Sequence, residues 1–191
     1  NHAGISPQPG SAAIAEFEAR RAEGLVTDAL QSVAGLPGAI REAYARMTNV
    51  SPEEIAITRN TAEGVNIIAQ GFPWKRGDSI LTVDTEYPSN VYPWWNLGER
   101  GVTVRTVPER HGRVDLDEFV AAIDSSTRLV AISHVEFASG FRFDLAAISA
   151  ACRERDIILF VDVAQSLGAI PVDLSLVDAA SWPTWKWLMG P

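Results

Sequence analysis

Four places in the sequence carry side chains able to do chemistry at the end of a structural element. Asp162 follows the apolar run Ile157–Val161, where a strand would leave the core. A carboxylate against low-dielectric walls is costly unless it meets a cation or strong donors. A protonated pyridine nitrogen would be such a partner, and Gln165, three residues on, could add an amide donor. The plainer alternative is an aspartate that caps a turn. Lys186 lies in WPTWKWLMGP, among Trp182, Trp185 and Trp187. Partial desolvation lowers a lysine's pKa and frees its amine as a nucleophile. The same surroundings also suit a lysine that snorkels its ammonium to water over packed rings. In Thr58–Gly64 (TRNTAEG) a strand runs straight into a helix whose first turn holds Thr61 and the small Ala62. Unpaired N–H groups and the helix dipole favour an anion there, although an ordinary helix cap reads the same way. His134, after Leu129–Ser133, could stack on a flat ring or move a proton. It could equally be a polar rim residue bonded to Ser133 or Glu136.

The surrounding pattern shows what must position these groups. Strands are expected at Ile55–Thr58, Ser79–Val83, Val102–Val107, Arg128–Ser133 and Ile157–Val161. Helices are expected at Ser11–Val33 (with Ile14, Phe17, Leu25 and Leu30 as its apolar stripe), Thr61–Gln70, Ser89–Glu99, Leu116–Ile123 and Leu145–Arg155. Asp115 and Asp144 stand where the last two would be capped, and Ser51-Pro52-Glu53-Glu54 is a helix-start or turn signal. Strand–helix alternation at this spacing predicts an α/β fold, a mainly parallel sheet with helices on both faces. In such sheets ligands bind beyond the carboxyl ends of the strands. Those ends carry Asn60-Thr61, Asp84-Thr85-Glu86, Ser133-His134 and Asp162 to Gln165. Gly24, Gly35, Pro37 and Gly38 mark a boundary, which suggests a segment over 1–26 and one large domain over 27–191.

The formal net charge of the 191 residues is −8, from 16 basic and 24 acidic side chains. An acidic surface repels phosphate backbones and anionic lipid heads, so nucleic acid and membrane are not expected partners. A single cysteine, Cys152, excludes an internal disulfide and a cysteine-based metal site, and no metal is expected. It reads as a packing residue of its helix. A reducing, cytoplasmic setting fits. His111 reads as a loop tip, and Trp94-Trp95 as core.

Taken together, these residues resemble the class V aminotransferase family of fold-type I enzymes dependent on pyridoxal phosphate. D-x-A-Q at Asp162 is followed, 24 residues after its aspartate, by K-W-L-x-G-P at Lys186. RNTAEGVN is similar to the family's R-x-T-[ST]-E-[GA]-x-N phosphate segment. The resemblance implies that Lys186 holds the cofactor as a Schiff base, Asp162 pairs with its ring nitrogen and Gln165 bonds its phenolic oxygen. It further implies that His134 stacks on the ring and that Thr61 and the Ala62 backbone hold the phosphate. It makes Lys186, His134 and Asp162 the catalytic set, an amino acid the substrate and a homodimer the expected assembly. Cysteine desulfurases, selenocysteine lyases and epimerase-like proteins belong to the same family, so the reaction stays open among them. A scaffold that keeps the fold without turnover is the other alternative. An unrelated nucleotide-binding domain lacks its Gly-rich segment here. Ala62, Pro183 and Trp185 depart from the family's usual hydroxyl, serine and histidine or tyrosine. A C-terminal part bearing the carboxylate-binding arginine is expected from the resemblance.

Overall fold

The computed structural model describes residues 36–190 together with 9–12, 14, 15 and 18. Of the helix expected over 11–33, residues 11, 12, 14, 15 and 18 are helical, and the rest, with Phe17, Leu25 and Leu30, lies outside the described residues. Ile14 is 60 % exposed, so it does not belong to a buried stripe.

Five strands, β1 (Ser79–Val83), β2 (Thr103–Val107), β3 (Thr127–Ser133), β4 (Ile158–Asp162) and β5 (Ala179–Ser181), form one sheet in the order β2-β1-β3-β4-β5. Every neighbouring pair is parallel. The helices between them are α1 (Leu36–Thr48), α2 (Thr61–Gly71), the short α3 (Tyr92–Trp95), α4 (Leu116–Ala121) and α5 (Leu145–Arg153). Successive strand residues point to opposite faces. Leu81, Val83, Val130, Ile132, Leu159 and Val161 therefore join Phe119 of α4 and Ile148 of α5 in one core. Ile80, Leu129, Ala131 and Phe160 join Val65 and Ala69 of α2 and Trp94 in the other. Both faces are covered, which is why the strands read as unbroken apolar runs rather than alternating ones. Asp115 and Asp144 cap α4 and α5 as expected, each accepting from backbone N–H groups of the first turn.

Three expectations change. Ile55–Thr58 pairs with no strand among the described residues; it lies along a cavity of about 720 Å³ whose other wall includes Ala179 and Trp182. The helix expected over 89–99 is broken into a 3₁₀ turn at Pro88–Asn90, α3, and a second 3₁₀ turn at Asn96–Arg100. Pro93 lacks an N–H and disfavours helical backbone before it, so no continuous ladder forms. Trp94 is core, but Trp95 is 57 % exposed.

Strand β5 is tied to the start of α2. Ser181 Oγ donates to the Thr61 carbonyl at 3.1 Å. Gly64 lies against the same serine, where an added Cβ would collide with Ser181 Oγ and sit 3.1 Å from its Cβ. Gly64→Ala should cost about 1–3 kcal/mol, the usual cost of overpacking. Urea denaturation reads this, and Ser181→Ala in the same chain should recover part of the loss. An additive pair of losses would mean that the two residues do not press on each other.

Candidate active site

The chain leaves β1 towards β2 but leaves β3 towards β4, so the loops after β1 and β3 diverge. In open α/β sheets the crevice at such a switch point, beyond the carboxyl ends of the strands, is where ligands bind. Register brings the chemistry to one edge. Ser133 pairs with Asp162, and Asp162 with Ser181, so β3, β4 and β5 end level. The His134 N–H donates to the Asp162 carbonyl at 2.9 Å, which extends the alignment by one residue.

Asp162 is 3 % exposed. Its Oδ1 accepts from the Ala164 N–H at 2.8 Å. Burial pushes the carboxyl up to about 6, against the pull of that N–H and of the Lys186 charge. Lys186 is half-buried; burial lowers its pKa and the Asp162 charge opposes the shift. Acid and amine thus face the same crevice, each within reach of the other's field. Lys186 Nζ lies over the Tyr87 ring, 5.3 Å from its centre.

The turn after β4 holds the lysine segment in place. Gly168 has φ of 91°, and a Cβ there would meet Leu188 at 3.0 Å and the Trp187 carbonyl carbon at 3.1 Å. Only glycine accepts both that backbone and that approach. Trp187 Nε1 donates to Gln165 Oε1 at 3.2 Å, so Gln165 is oriented by the residue next to Lys186.

At the start of α2 the cap is Asn60, whose Oδ1 accepts from the Glu63 N–H at 2.9 Å; Thr61 is the first helical residue. The Thr61 and Ala62 N–H groups head the helix, where no preceding turn supplies carbonyls. Glu63 would repel an anion there, but Arg59 engages it at 2.9 Å.

His134 is buried, and its Nδ1 has no partner. The bonds to Ser133 or Glu136 that the plainer alternative offered are absent: the Ser133 N–H and hydroxyl donate to the Glu86 carboxylate, and the Glu136 oxygens have no partner. Burial, with the Arg142 charge, holds the imidazole's pKa down at about 4. Two further carboxyls stand beside it. Burial raises Glu86 to about 7, with the Asp162 charge adding to the shift. Burial raises Glu136 to about 10, with the Glu86 charge adding most after it. Among the described residues no His/Cys/Asp/Glu cluster suited to a metal occurs, and no helix is long and apolar enough to cross a membrane. Sequence reading missed Tyr87 and the buried state of Glu86 and Glu136. Glu86 stood among the strand-end residues, but nothing in its spacing signalled burial.

Residues 19–191 match the family described as "Aminotransferase class-V", and the chain belongs to that family. A probable cysteine desulfurase of Methanothermobacter thermautotrophicus is 36 % identical over 92 % of this chain and 44 % of its own length. The cysteine desulfurase IscS of Vibrio campbellii is 38 % identical over 76 % of this chain and 38 % of its own. Among solved structures, the cystine C–S lyase C-DES bound to its product cysteine persulfide superposes with a TM-score of 0.91. It is 30 % identical, and the match covers 100 % of this chain and 54 % of that one. A C-DES variant with glycine covalently linked to its pyridoxal-phosphate cofactor has the same TM-score at 29 % identity. The chain therefore spans about half the length of these solved relatives and less than half of the curated ones. The expected α/β architecture and the expected family both hold.

A buried imidazole with a depressed pKa stays neutral as the pH falls. Imidazole nitrogen shifts in a ¹⁵N-labelled protein should show His134 titrating near pH 4. Since the unfolded chain takes up that proton at about 6.5, this group's contribution to stability is lost as the pH falls from there through 4. Titration of His134 at its ordinary value would contradict the burial described here.

Proposed function

We propose that this chain forms the cofactor-binding part of an enzyme that uses pyridoxal phosphate to act on an amino acid, with Lys186 as the covalent anchor. The observation that carries this is a half-buried amine and a buried acid sharing one crevice at the carboxyl edge of a parallel sheet. The residues present fit the group. Asp162 is a buried carboxyl suited to a cationic ring nitrogen. The start of α2 offers N–H groups and the Thr61 hydroxyl to a phosphate. Tyr87, 43 % exposed, offers a ring face beside the lysine.

When bound, the cofactor draws electrons from the substrate's α-carbon and so weakens the bonds there. The rest is done by side chains. Asp162 holds positive charge at the ring nitrogen. Thr61 and the Ala62 backbone take the phosphate, while Pro183 supplies neither N–H nor hydroxyl. Gln165, with its carbonyl oxygen turned to Trp187, would have its amide nitrogen left for the ring's phenolic oxygen. His134 and Tyr87 bound the ring. The Lys186 amine would also be the group that carries a proton to or from the substrate's α-carbon. Its lowered pKa favours the neutral form that accepts.

Within this class, cleavage of a C–S bond in a cysteine-like substrate is the reaction we favour, because the relatives named above are desulfurases and a C–S lyase. Cys152 takes no part in sulfur transfer: it is buried, and burial pushes its thiol up to about 12. We also propose a homodimer, in which the exposed Tyr92–Trp95 pair, in edge contact at 5.6 Å, would supply apolar contact surface.

The full-length protein mixed with pyridoxal phosphate should become yellow. Borohydride should fix the label, and peptide mapping should place it on Lys186. Lys186→Ala should abolish the fixation. A label that maps elsewhere, or survives in that variant, overturns the assignment. Sulfide released from cysteine, compared with amino-group transfer to a keto acid, then separates lyase from transaminase.

A further inference from the structure

Glu136 has no task in the site as described, and its position is costly. It is 1 % exposed, and neither carboxyl oxygen meets a hydrogen-bond donor. A buried carboxylate in that state forfeits hydration and gains nothing in return. The groups that act on it are Glu86 from the loop after β1, Glu109 from the loop after β2 and Asp162 from the end of β4, all acidic. Lys186 acts on Asp162, and the neighbouring His134 feels the Arg142 charge. Two carboxyls side by side in a low-dielectric site cannot both be charged. Their surroundings decide which one is. Glu86 accepts from the Ser133 N–H, the Ser133 hydroxyl and the Tyr87 N–H. Glu136 accepts from nothing, so the charge belongs on Glu86 and the proton on Glu136.

We propose that Glu136 is a positioning residue, which as a neutral acid donates its proton to the Glu86 carboxylate and so clasps the loop after β3 to the loop after β1, fixing Tyr87 in the crevice. The next residue along each loop supplies a second strut. Tyr87 and Phe137 meet edge to face with ring centres 5.1 Å apart. On the Glu136 side the loop is stiff, since its N–H donates to the Phe141 carbonyl and its carbonyl accepts from the Gly140 N–H, both at 2.9 Å. A shift of Glu86 would carry Tyr87 with it, and with Tyr87 the ring face under Lys186. The consequence for a bound ring rests on the function proposed above; the clasp itself belongs to the protein without cofactor.

The test uses cofactor-free full-length protein, unfolded by urea at pH values between about 7, where Glu86 titrates, and 9, the ordinary value of a thiol such as Cys152. A carboxyl whose folded pKa lies above its unfolded one stabilises at low pH and loses that stabilisation as the pH rises. With Glu136 protonated in this window, the unfolding constant should rise about tenfold per pH unit. Glu136→Gln keeps a donor to Glu86 but has no proton to lose, so its profile should be flatter by that factor. Its infrared spectrum should also lack one protonated-carboxyl carbonyl band. Glu136→Ala should lose the near-ultraviolet circular dichroism of the Tyr87–Phe137 contact, and Glu136→Gln should retain it. Equal slopes in the wild type and Glu136→Gln, or no lost carbonyl band, overturn the clasp. A protein that shows the slope but never binds pyridoxal phosphate would overturn the proposed function and leave the clasp standing.

Discussion

Negative charge gathered in a place with little water is the constraint on which this site depends. The carboxyl ends of β1, β3 and β4 bring Glu86, Glu136 and Asp162 together, all buried, with the Lys186 amine as the cation that acts on Asp162. Burial dominates the shift of each acid; backbone or hydroxyl donors partly offset it for Glu86 and Asp162, and none does so for Glu136. Such an arrangement is destabilising unless protons or a further cation neutralise it. Structural needs alone do not account for it, because apolar residues of similar volume would pack the same space at lower cost. Strongly perturbed carboxyls beside a desolvated amine, at a switch point, make this the candidate site for chemistry.

The fold supplies the precision. In a parallel sheet every strand ends on the same side, and the register Ser133–Asp162–Ser181 sets three of those ends level. Two glycines then let backbone pieces approach where a side chain would keep them apart. Gly64 brings the start of α2 onto Ser181, and Gly168 brings the turn after β4 onto Trp187 and Leu188. One contact places the start of α2; the other places the segment that carries the lysine. Distance in sequence is thereby converted into proximity along one edge, with rigid strands and not loops as the reference.

Much of this was legible in the sequence because burial on both faces of a parallel sheet leaves a strong mark. Ser79–Val83, Arg128–Ser133 and Ile157–Val161 are apolar runs, and Asp115 and Asp144 announce the helices after them. What escaped did so for physical reasons. Strand β5 is Ala-Ala-Ser, with no β-branched or aromatic residue, and it is held by pairing with β4 and by α2 behind it, not by its own preference. Pro37 and Gly38 lie in the first turn of α1, where proline is tolerated. Ile55–Thr58 has a strand's composition but no neighbour to pair with, and propensity does not make a strand without a ladder. Within the site, Lys186, Asp162 and Thr61 were visible through spacing. Tyr87 was not, because its role depends on a loop that brings it beneath a lysine 99 positions away.

The chain's departures from its family's usual residues fall on one side of the crevice. Pro183 and Trp185 line a cavity with Asn60 and Gly64 at the start of α2, and Ala62 belongs to that helix's first turn. At the strand ends Asp162 stands with two further buried acids, Glu86 and Glu136. On the function proposed, phosphate binding would lean on backbone N–H groups and Thr61, whose geometry is set by the helix and by the Ser181 contact. Backbone donors are fixed by α2 itself, so they tolerate the loss of neighbouring side chains. An anion held by a helix end needs few side chains, whereas a ring nitrogen buried beneath a strand end has no substitute for its acid.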